Sequence, residues 1–495
     1  MPSDQMTAVT ADLVPAGSVI DGVLCNYVGG RPKEPRGSEV FDNVNPASPR
    51  QRLIQVVRST VGEAREAVAA AAAARTSWSS LTPLQRADVL RRSARLLSER
   101  ADTVALAMTL EEGKPVAEAR GEVARAVEVI DATAALVYQP TGEIFAPRRP
   151  EQWLMTNHVP LGVVVIIAPW NFPVLIPAWK IAPALLAGNT VVVKPAELTS
   201  LTASHLVSVF HEAGVPPGVL NVVYGSGSQI GPALLAPPAA AVSFTGGNEA
   251  GTAIALAAVS AHMKFQLELG GNNPVLVLAD ADLDVAVREI VAGAVSATGQ
   301  KCTATRRVFA ERDVLPDLVD GVRASLASKR LAPGTDPNCD VAPLVSDGAR
   351  GDYLAAVARL GRIADVEQFG DLPDDGFFVR PSIVTCGDVE APEFGDEIFG
   401  PLMSVFAVDD LEEGIRRCNQ TQYGLSASLF SASLASALRF TEGVDAGMIH
   451  INSQTTGGEP HIPFGGMKHS SSFSREVGRH GLEFFSQIKT VYLEG

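Results

Sequence analysis

The sequence predicts an α/β protein built on two mainly parallel sheets, and three observations carry that expectation: the alternation of apolar runs, the composition and the length. Short apolar runs at 162–168, 190–193, 220–224, 241–244 and 265–269 are separated by helix-length segments, the pattern of repeated βαβ units. A second set at 275–278, 308–311, 403–408 and 448–452 repeats the pattern, so the border between the sheets falls close to Gly270-Gly271. A hydrophobic fraction of 46% against 19% charged residues, with 44 Gly and 33 Pro, fits a turn-rich α/β chain and excludes a disordered or coiled-coil one. At 495 residues the chain exceeds one ordinary core, so two or three domains are expected.

In chain order, residues 1–20 have neither a basic start nor an apolar stretch and read as a loose tail, not a secretory leader. Residues 21–57 read as β-rich, with turn signals at Gly29-Gly30, Gly37 and Asn45-Pro46. Thr60-Val-Gly-Glu63 and Thr82-Pro83-Leu-Gln85 both have the capping-box pattern, and the alanine run near Ala69 continues the first helix. In the second helix Leu84, Ala87, Leu90, Ala94 and Leu97 recur at helical spacing, predicting one buried stripe with arginines opposite. The apolar stretch 161–193 exceeds the ~20 residues that cross a bilayer. Pro169, Asn171, Pro173, Pro177, Lys180 and Pro183 interrupt it, however, so it reads as buried strand, loop, helix and strand. The stretches 142–157 and 485–493 fit neither sheet and suit an arm that pairs with another subunit.

A net charge of −15, from 40 basic and 55 acidic residues, repels phosphate backbones and anionic lipid, so no nucleic acid and no membrane is expected as a partner. Cys25, Cys302, Cys339, Cys386 and Cys418 are odd in number and have no CxxC spacing, which argues against a disulfide framework or structural zinc and suits a reducing cytoplasm. His211-Glu212 opens like a zinc-protease motif, but Val215 stands where the second histidine belongs, so no metal site is expected. Gly225-Ser-Gly227-Ser-Gln-Ile-Gly231 has GxGxxxG spacing, which is weak evidence for a dinucleotide fingerprint.

The chemistry-bearing residues start with Pro169-Trp170-Asn171-Phe172-Pro173, at the carboxyl end of the first strand of the first sheet, where open α/β sheets place ligands. Cys302 is the candidate nucleophile. A lone cysteine is commonly a small buried apolar residue, yet Gln300, Lys301 and Thr303 do not look like core, and a nearby ammonium or helix terminus lowers a thiol pKa. Attack on a carbonyl creates an oxyanion that needs prearranged donors. The Asn171 amide can supply one; its other reading is a turn residue between prolines. Glu268, at a strand end before Gly270-Gly271, is either a surface charge or a partly desolvated general base. Lys194 and Glu197 follow the second strand and are placed to hold a ribose.

Lys194-Pro-Ala-Glu197, Phe244-Thr-Gly-Gly247, Glu268-Leu-Gly-Gly271, Gly299-Gln-Lys-Cys302, Glu397-Ile-Phe-Gly-Pro401 and Pro463-Phe-Gly-Gly466 follow that first motif. In these motifs and their order the sequence resembles the aldehyde dehydrogenase superfamily over nearly the whole chain. The resemblance implies NAD(P)-dependent oxidation of a small-molecule aldehyde to a carboxylic acid. It also implies a Rossmann-like cofactor domain (21–140 and 158–269), an α/β catalytic domain (270–470), a small β oligomerisation arm (141–157 and 483–495) and a homodimer or homotetramer. Cys302, Glu268, Asn171 and Lys180 are the implied catalytic set, with the Cys302 backbone N–H as a second oxyanion donor.

The implied cofactor is NAD, with NADP as the alternative. Lys194 and Glu197 would meet the adenine-side ribose, Gly227 the adenine, Gly246 and Gly247 the pyrophosphate, Trp170 and Leu269 the nicotinamide, and Glu397 with Phe399 the nicotinamide ribose. Gly247 departs from relatives that carry serine there, and backbone N–H groups at a helix start can replace the lost contact. The Glu197 carboxylate repels a 2′-phosphate and favours NAD, tempered by Lys194. Members that pass the acyl group to coenzyme A lack the base at Glu268, so its presence favours hydrolysis, and an idle relative would have lost one of the three reacting groups.

Cys302-Thr-Ala-Thr-Arg-Arg307 and Asn452-Ser-Gln-Thr-Thr-Gly457 look similar to the branch that oxidises α-ketoglutaric semialdehyde. A quaternary-ammonium aldehyde calls for an aromatic box, and only Trp170 and Trp179 lie near the implied funnel. The Thr455 and Thr456 hydroxyls are expected to meet a carboxylate or keto group. Arg306 and Arg307 face opposite ways in a strand, so at most one points inward, or both form surface ion pairs.

Overall fold

The computed structural model describes residues 13–35, 39–387 and 391–494. Residues 1–12 of the expected tail, and the turn signal at Gly37, lie outside the described residues. From Leu13 onward the chain is anchored: Leu13 is buried, and its carbonyl meets His205 Nε2 at 3.0 Å.

The first large sheet orders its parallel strands Lys264–Glu268, Ala239–Thr245, Val163–Ile167, Thr190–Lys194 and Leu220–Val222, then continues antiparallel through Tyr27–Val28 and Arg31–Pro32. Val163–Ile167 and Thr190–Lys194 are buried at every position, as parallel strands covered on both faces must be. The chain winds outward from Val163–Ile167 in one direction and then restarts beside it with Ala239–Thr245, so the strand order reverses between these two. That crevice, at the carboxyl ends, lies beside the 168–174 loop and Gly246-Gly247.

The second sheet runs Asp365–Gln368, Ser382–Gly387, Leu402–Val408, Thr305–Glu311, Asn273–Val277, Ser426–Phe430 and Met448–Ile451, parallel except for the first strand. Only residues 269–272 separate the edge strand of one sheet from a central strand of the other. Ser382–Gly387 and Ser426–Phe430 are strands the apolar pattern does not reveal, because small polar residues occupy buried positions. In the latter, Ser426 and Ser428 hide their hydroxyls by donating to the carbonyls of Thr455 and Ser453 at 2.7 and 2.6 Å.

Both capping boxes form, and Pro83 opens its helix. The stripe on Pro83–Glu99 is shifted from expectation: Leu84 is 52% exposed, whereas Arg86 is buried with its Nε donating to Leu186 O at 2.9 Å. Desolvating a guanidinium is tolerated here because backbone carbonyls satisfy it. A third, three-stranded antiparallel sheet pairs Ser486–Glu494 with Gln152–Pro160 and that strand with Ile144–Phe145. Among the described residues no helix is long and apolar enough to cross a membrane, and no cluster of three His, Cys, Asp or Glu is placed to hold a metal.

Candidate active site

Cys302 follows the helix Leu283–Val295 through a turn in which Ala297, Thr298 and Gly299 all take positive φ (48°, 54° and 67°). Non-glycine residues hold this conformation only where their surroundings over-determine it. Ala297 N–H donates to the Glu118 carboxylate at 2.9 Å, and Thr298 Oγ1 donates to Ala342 O at 2.9 Å. Any side chain at Gly299 would collide with Gly400 O.

Arg306 clamps the same turn by donating to Gly400 O at 2.5 Å and to Gly299 O. Arg307, on the other face of Thr305–Glu311, donates to the carbonyls of Asn272, Arg417 and Cys418. Both arginines are buried and donate to backbone carbonyls, so neither expected role holds: among the described residues they make no surface ion pair, and neither lines the cavity beside Cys302. The reason is that this central strand is covered on both faces.

The Cys302 carbonyl accepts from Asn273 Nδ2 at 2.7 Å, and a Cβ at Gly271 would strike that carbonyl. On its other side the diglycine meets Glu397: Gly271 N–H donates to Glu397 Oε1 at 2.9 Å, and a Cβ at Gly270 would strike Oε2. Crowding against backbone thus requires the glycine at 271, whereas a side chain at 270 would displace the Glu397 carboxylate.

Asn171 is buried, and its Nδ2 donates to Gln300 O at 2.8 Å, which ties it to the turn before Cys302 and leaves its second amide hydrogen free of that bond. The Asn171 carbonyl accepts from Lys114 Nζ at 2.6 Å. Lys114 pairs with Glu122 at 2.7 Å, and Glu122 Oε1 accepts from the N–H groups of Val174 and Leu175 at 2.9 and 3.0 Å. Neither Lys114 nor Glu122 stands in any of the sequence motifs. Their one signal is a charged run, Glu111-Glu112-Gly113-Lys114, that packs inside rather than facing water.

Glu268 is buried. Its Oε2 accepts from Ser471 Oγ at 2.7 Å, and its Oε1 has no partner. Burial first, and the Glu476 charge second, hold this carboxyl well above the usual range, against opposing effects of Ser471, Lys180 and Arg475. Lys180 is buried too, in a close ion pair with Glu476, and donates to Ser243 Oγ at 2.8 Å. Glu476, whose Oε2 is also unpartnered, was not singled out from the sequence; it is held by the two backbone bonds it exchanges with Phe464, each 2.8 Å.

Burial pushes the Cys302 thiol up, and Glu397 and Glu268 add to the effect, while the N–H groups of Cys302 and Thr303 oppose it. The expected help from a flanking ammonium is not realised, because Lys301 turns to Glu118 at 3.9 Å.

The proposed cofactor residues gather at the carboxyl edge of the first sheet. Gly247 caps the helix Asn248–Ser260 with no side-chain bond, leaving a free N-terminus, and Thr245 Oγ1 beside it has no partner. Lys194 lies against Gly227, whose Cβ would sit 3.3 Å from its Cε, and burial lowers its pKa to about 8 against the pull of Glu197. Glu197 Oε1 is buried without a hydrogen bond, 3.5 Å from the Arg58 guanidinium. Trp170 meets Phe399 edge to face at 5.5 Å, Leu269 packs over Gly251, and burial raises Glu397 to about 7. The orphaned acceptors at Glu197 and Thr245, the open helix end and the glycines fit a dinucleotide with hydroxyl and phosphate groups to offer.

A cavity of about 290 Å³ opens onto Cys302 and Thr303. Phe172, Leu175, Ile176, Trp179, Phe464 and Val477 give its lining an apolar part, and Lys114, Arg125 and Lys301 with Glu118, Glu122 and Glu459 give it a charged part of balanced sign. Thr456 lines it. Thr455 does not: its hydroxyl donates to Thr303 O at 2.8 Å and meets Thr305 Oγ1 at 2.9 Å, so this threonine supports the segment just after the nucleophile instead of lining the cavity.

The sequence profile of the aldehyde dehydrogenase family matches residues 33–491. The chain is 36% identical over 476 residues to an alpha-ketoglutaric semialdehyde dehydrogenase of Bacillus subtilis, covering 95% of this chain and 98% of the relative. It is 37% identical over 476 residues to an alpha-ketoglutarate semialdehyde dehydrogenase of Haloferax volcanii, covering 94% and 98%. Its fold is similar to a crystal structure of Staphylococcus aureus betaine aldehyde dehydrogenase in complex with NAD+, with a TM-score of 0.91, 30% identity and 94% of each chain covered.

Proposed function

The chain belongs to the aldehyde dehydrogenase family and is an NAD(P)-dependent oxidoreductase acting on an aldehyde; from that premise we propose that it oxidises a short semialdehyde bearing a carboxylate, through a covalent thioester on Cys302. The observation that carries the reading is the convergence on one thiol. Cys302 opens onto the cavity, Asn171 is bonded to the carbonyl of Gln300 just before it, and Glu268 keeps an unpartnered carboxylate oxygen.

In the proposed cycle the Cys302 sulfur bonds to the aldehyde carbon as the thiol proton passes to a base. The free amide hydrogen of Asn171 and the Cys302 N–H stabilise the resulting oxyanion. When bound, NAD(P)+ supplies an acceptor for the hydride that leaves this carbon, and a thioester remains on Cys302. Glu268 then takes a proton from water as the water oxygen bonds to the acyl carbon, the C–S bond breaks, and the acid departs. Lys180 acts as a positioning residue through Glu476. The cofactor would be held by Trp170, Lys194, Glu197, Gly227, Gly246, Gly247 and Leu269 of a cofactor domain formed by residues 21–140 and 158–269, with Glu397 and Phe399 reaching it from the catalytic domain.

The substrate reading draws support from the relatives named for α-ketoglutaric semialdehyde and from Arg125 in the cavity lining, whose ion-pair partners Glu128 and Glu459 are both more than half exposed. In the arm, Ile144, Trp153, Ile488 and Tyr492 are exposed apolar residues on one small sheet, which supports pairing with a second copy into a homodimer or homotetramer. Five free thiols support a cytoplasmic setting.

Incubation with α-ketoglutaric semialdehyde and NAD+, with and without coenzyme A, tests the proposal. The free acid is expected in both cases, and formation of product only with coenzyme A would overturn the hydrolytic cycle. Pentanal or benzaldehyde outperforming every carboxylated semialdehyde would remove the substrate assignment and leave the reaction class.

A further inference from the structure

We infer that Arg125 recognises the substrate carboxylate, and that Glu459 occupies its place in the free protein as a built-in carboxylate that the substrate displaces; this rests on the semialdehyde reading above. Glu118, Glu122, Arg125 and Val129 recur at helical spacing and all line the cavity, so the helix Val116–Ala135 presents one face along it. The inner end of that face is anchored, Glu118 by the Ala297 N–H and Glu122 by Lys114. Arg125 lies two turns further out, about 10 Å along the axis from Glu118.

The other two cations of the cavity are engaged in the framework. Lys114 is buried between Glu122 and the Asn171 carbonyl, and Lys301 turns to Glu118. Among the described residues Arg125 instead pairs only with carboxylates that are more than half exposed, Glu128 on its own helix and Glu459 of the 456–459 segment, each at 3.1 Å. Such exposed pairs are weak and readily exchanged, and a guanidinium fork suits the two oxygens of a carboxylate. Glu459 is carried by Gly457-Gly458, and among the described residues Arg125 is its only ion-pair partner.

Gly121 supplies an independent observation. It lies on the cavity face between Glu118 and Arg125, and a Cβ there would meet nothing within 4 Å. A glycine inside a helix weakens it, and here no neighbour demands one. The space it leaves is room for the carbon chain of a ligand whose aldehyde reaches Cys302 and whose carboxylate reaches Arg125.

The test compares α-ketoglutaric semialdehyde with pentanal, an uncharged aldehyde of the same length, and measures competitive inhibition by glutarate. Arg125→Gln is expected to raise KM for the semialdehyde and Ki for glutarate about tenfold, the size of one charge-assisted contact, with kcat and the pentanal kinetics little changed. Arg125→Lys should recover part of the loss, and Glu459→Gln should lower KM for the semialdehyde by removing the competitor. A wild-type preference for the semialdehyde that survives in Arg125→Gln overturns the inference and leaves the substrate reading standing. No wild-type preference removes both. Should Arg125→Gln fail to fold, Glu459→Gln decides: an unchanged KM and Ki there overturns the displacement.

Discussion

Two buried lysine–glutamate pairs stand near the cavity, and they differ in how completely they are satisfied. Lys114 and Glu122 hold the 171–175 turn, and both Glu122 oxygens are bonded, one to the ammonium and one to two backbone N–H groups. Lys180 and Glu476 stand behind Trp179 and Val477, and there Glu476 Oε2 and the nearby Glu268 Oε1 have no partner. An unpartnered buried carboxylate oxygen costs free energy that a purely structural pair avoids. Glu112, 3.9 Å from Lys114, also keeps an unpartnered oxygen, so the contrast lies within the pairs: both Glu122 oxygens fix backbone or ammonium, whereas Glu476 and Glu268 each keep acceptor capacity for water and protons.

The largest expected effect probes the second group. Glu268→Gln should lower steady-state turnover by about 10²–10⁴-fold while leaving a single burst of reduced cofactor and an unchanged melting curve. Loss of the burst as well would move Glu268 to an earlier step.

Glu122→Ala probes the first pair, since it strands the Lys114 ammonium and frees the 171–175 turn. It should destabilise the fold by about 3–5 kcal/mol, read as a fall in the denaturation midpoint. If stability holds and only turnover falls, the contrast between the pairs is wrong.

A finer probe is Glu476→Gln. The Glu476 charge is the second cause of the raised Glu268 carboxyl, so removing it should let that carboxyl ionise at lower pH. Because the base must be ionised to act, the acid limb of the kcat profile should move to lower pH, not higher. An unmoved limb would show that burial alone sets the pKa.

The smallest effect belongs to the cofactor end, where Glu197 Oε1 has an ion-pair partner but no hydrogen bond. Arg58, 3.5 Å away, offsets part of the Glu197 charge. NAD+ should therefore bind only modestly better than NADP+, and Arg58→Ala should widen that ratio by about fivefold, of the order of ~1 kcal/mol for a half-exposed pair. Calorimetric titration of 5′-AMP against 2′,5′-ADP reads this without turnover.

What the sequence made legible was local. The capping boxes at Thr60 and Thr82 are written within four residues each, and the motif glycines around Glu268 and Cys302 stand beside the groups they accommodate. What it hid was set by distant packing. Lys180 finds Glu476 across 296 positions, and nothing near either residue announces the other. Arg306 and Arg307 were misread because alternation assigns one face of a strand to water, whereas Thr305–Glu311 has no water face. Ser426–Phe430 escaped because its serines are satisfied by carbonyls that come from another loop.

The crowded Gly270-Gly271 seam also matters for recombination between relatives. Base and nucleophile are encoded on opposite sides of it, Glu268 ending one sheet and Cys302 lying in the connection between two strands of the other. A chimera that exchanged the first 269 residues would therefore inherit its base from one parent and its nucleophile from another. Its viability would depend less on overall similarity than on whether Glu397 and the Cys302 carbonyl of the second parent still close on a backbone with no side chains between them.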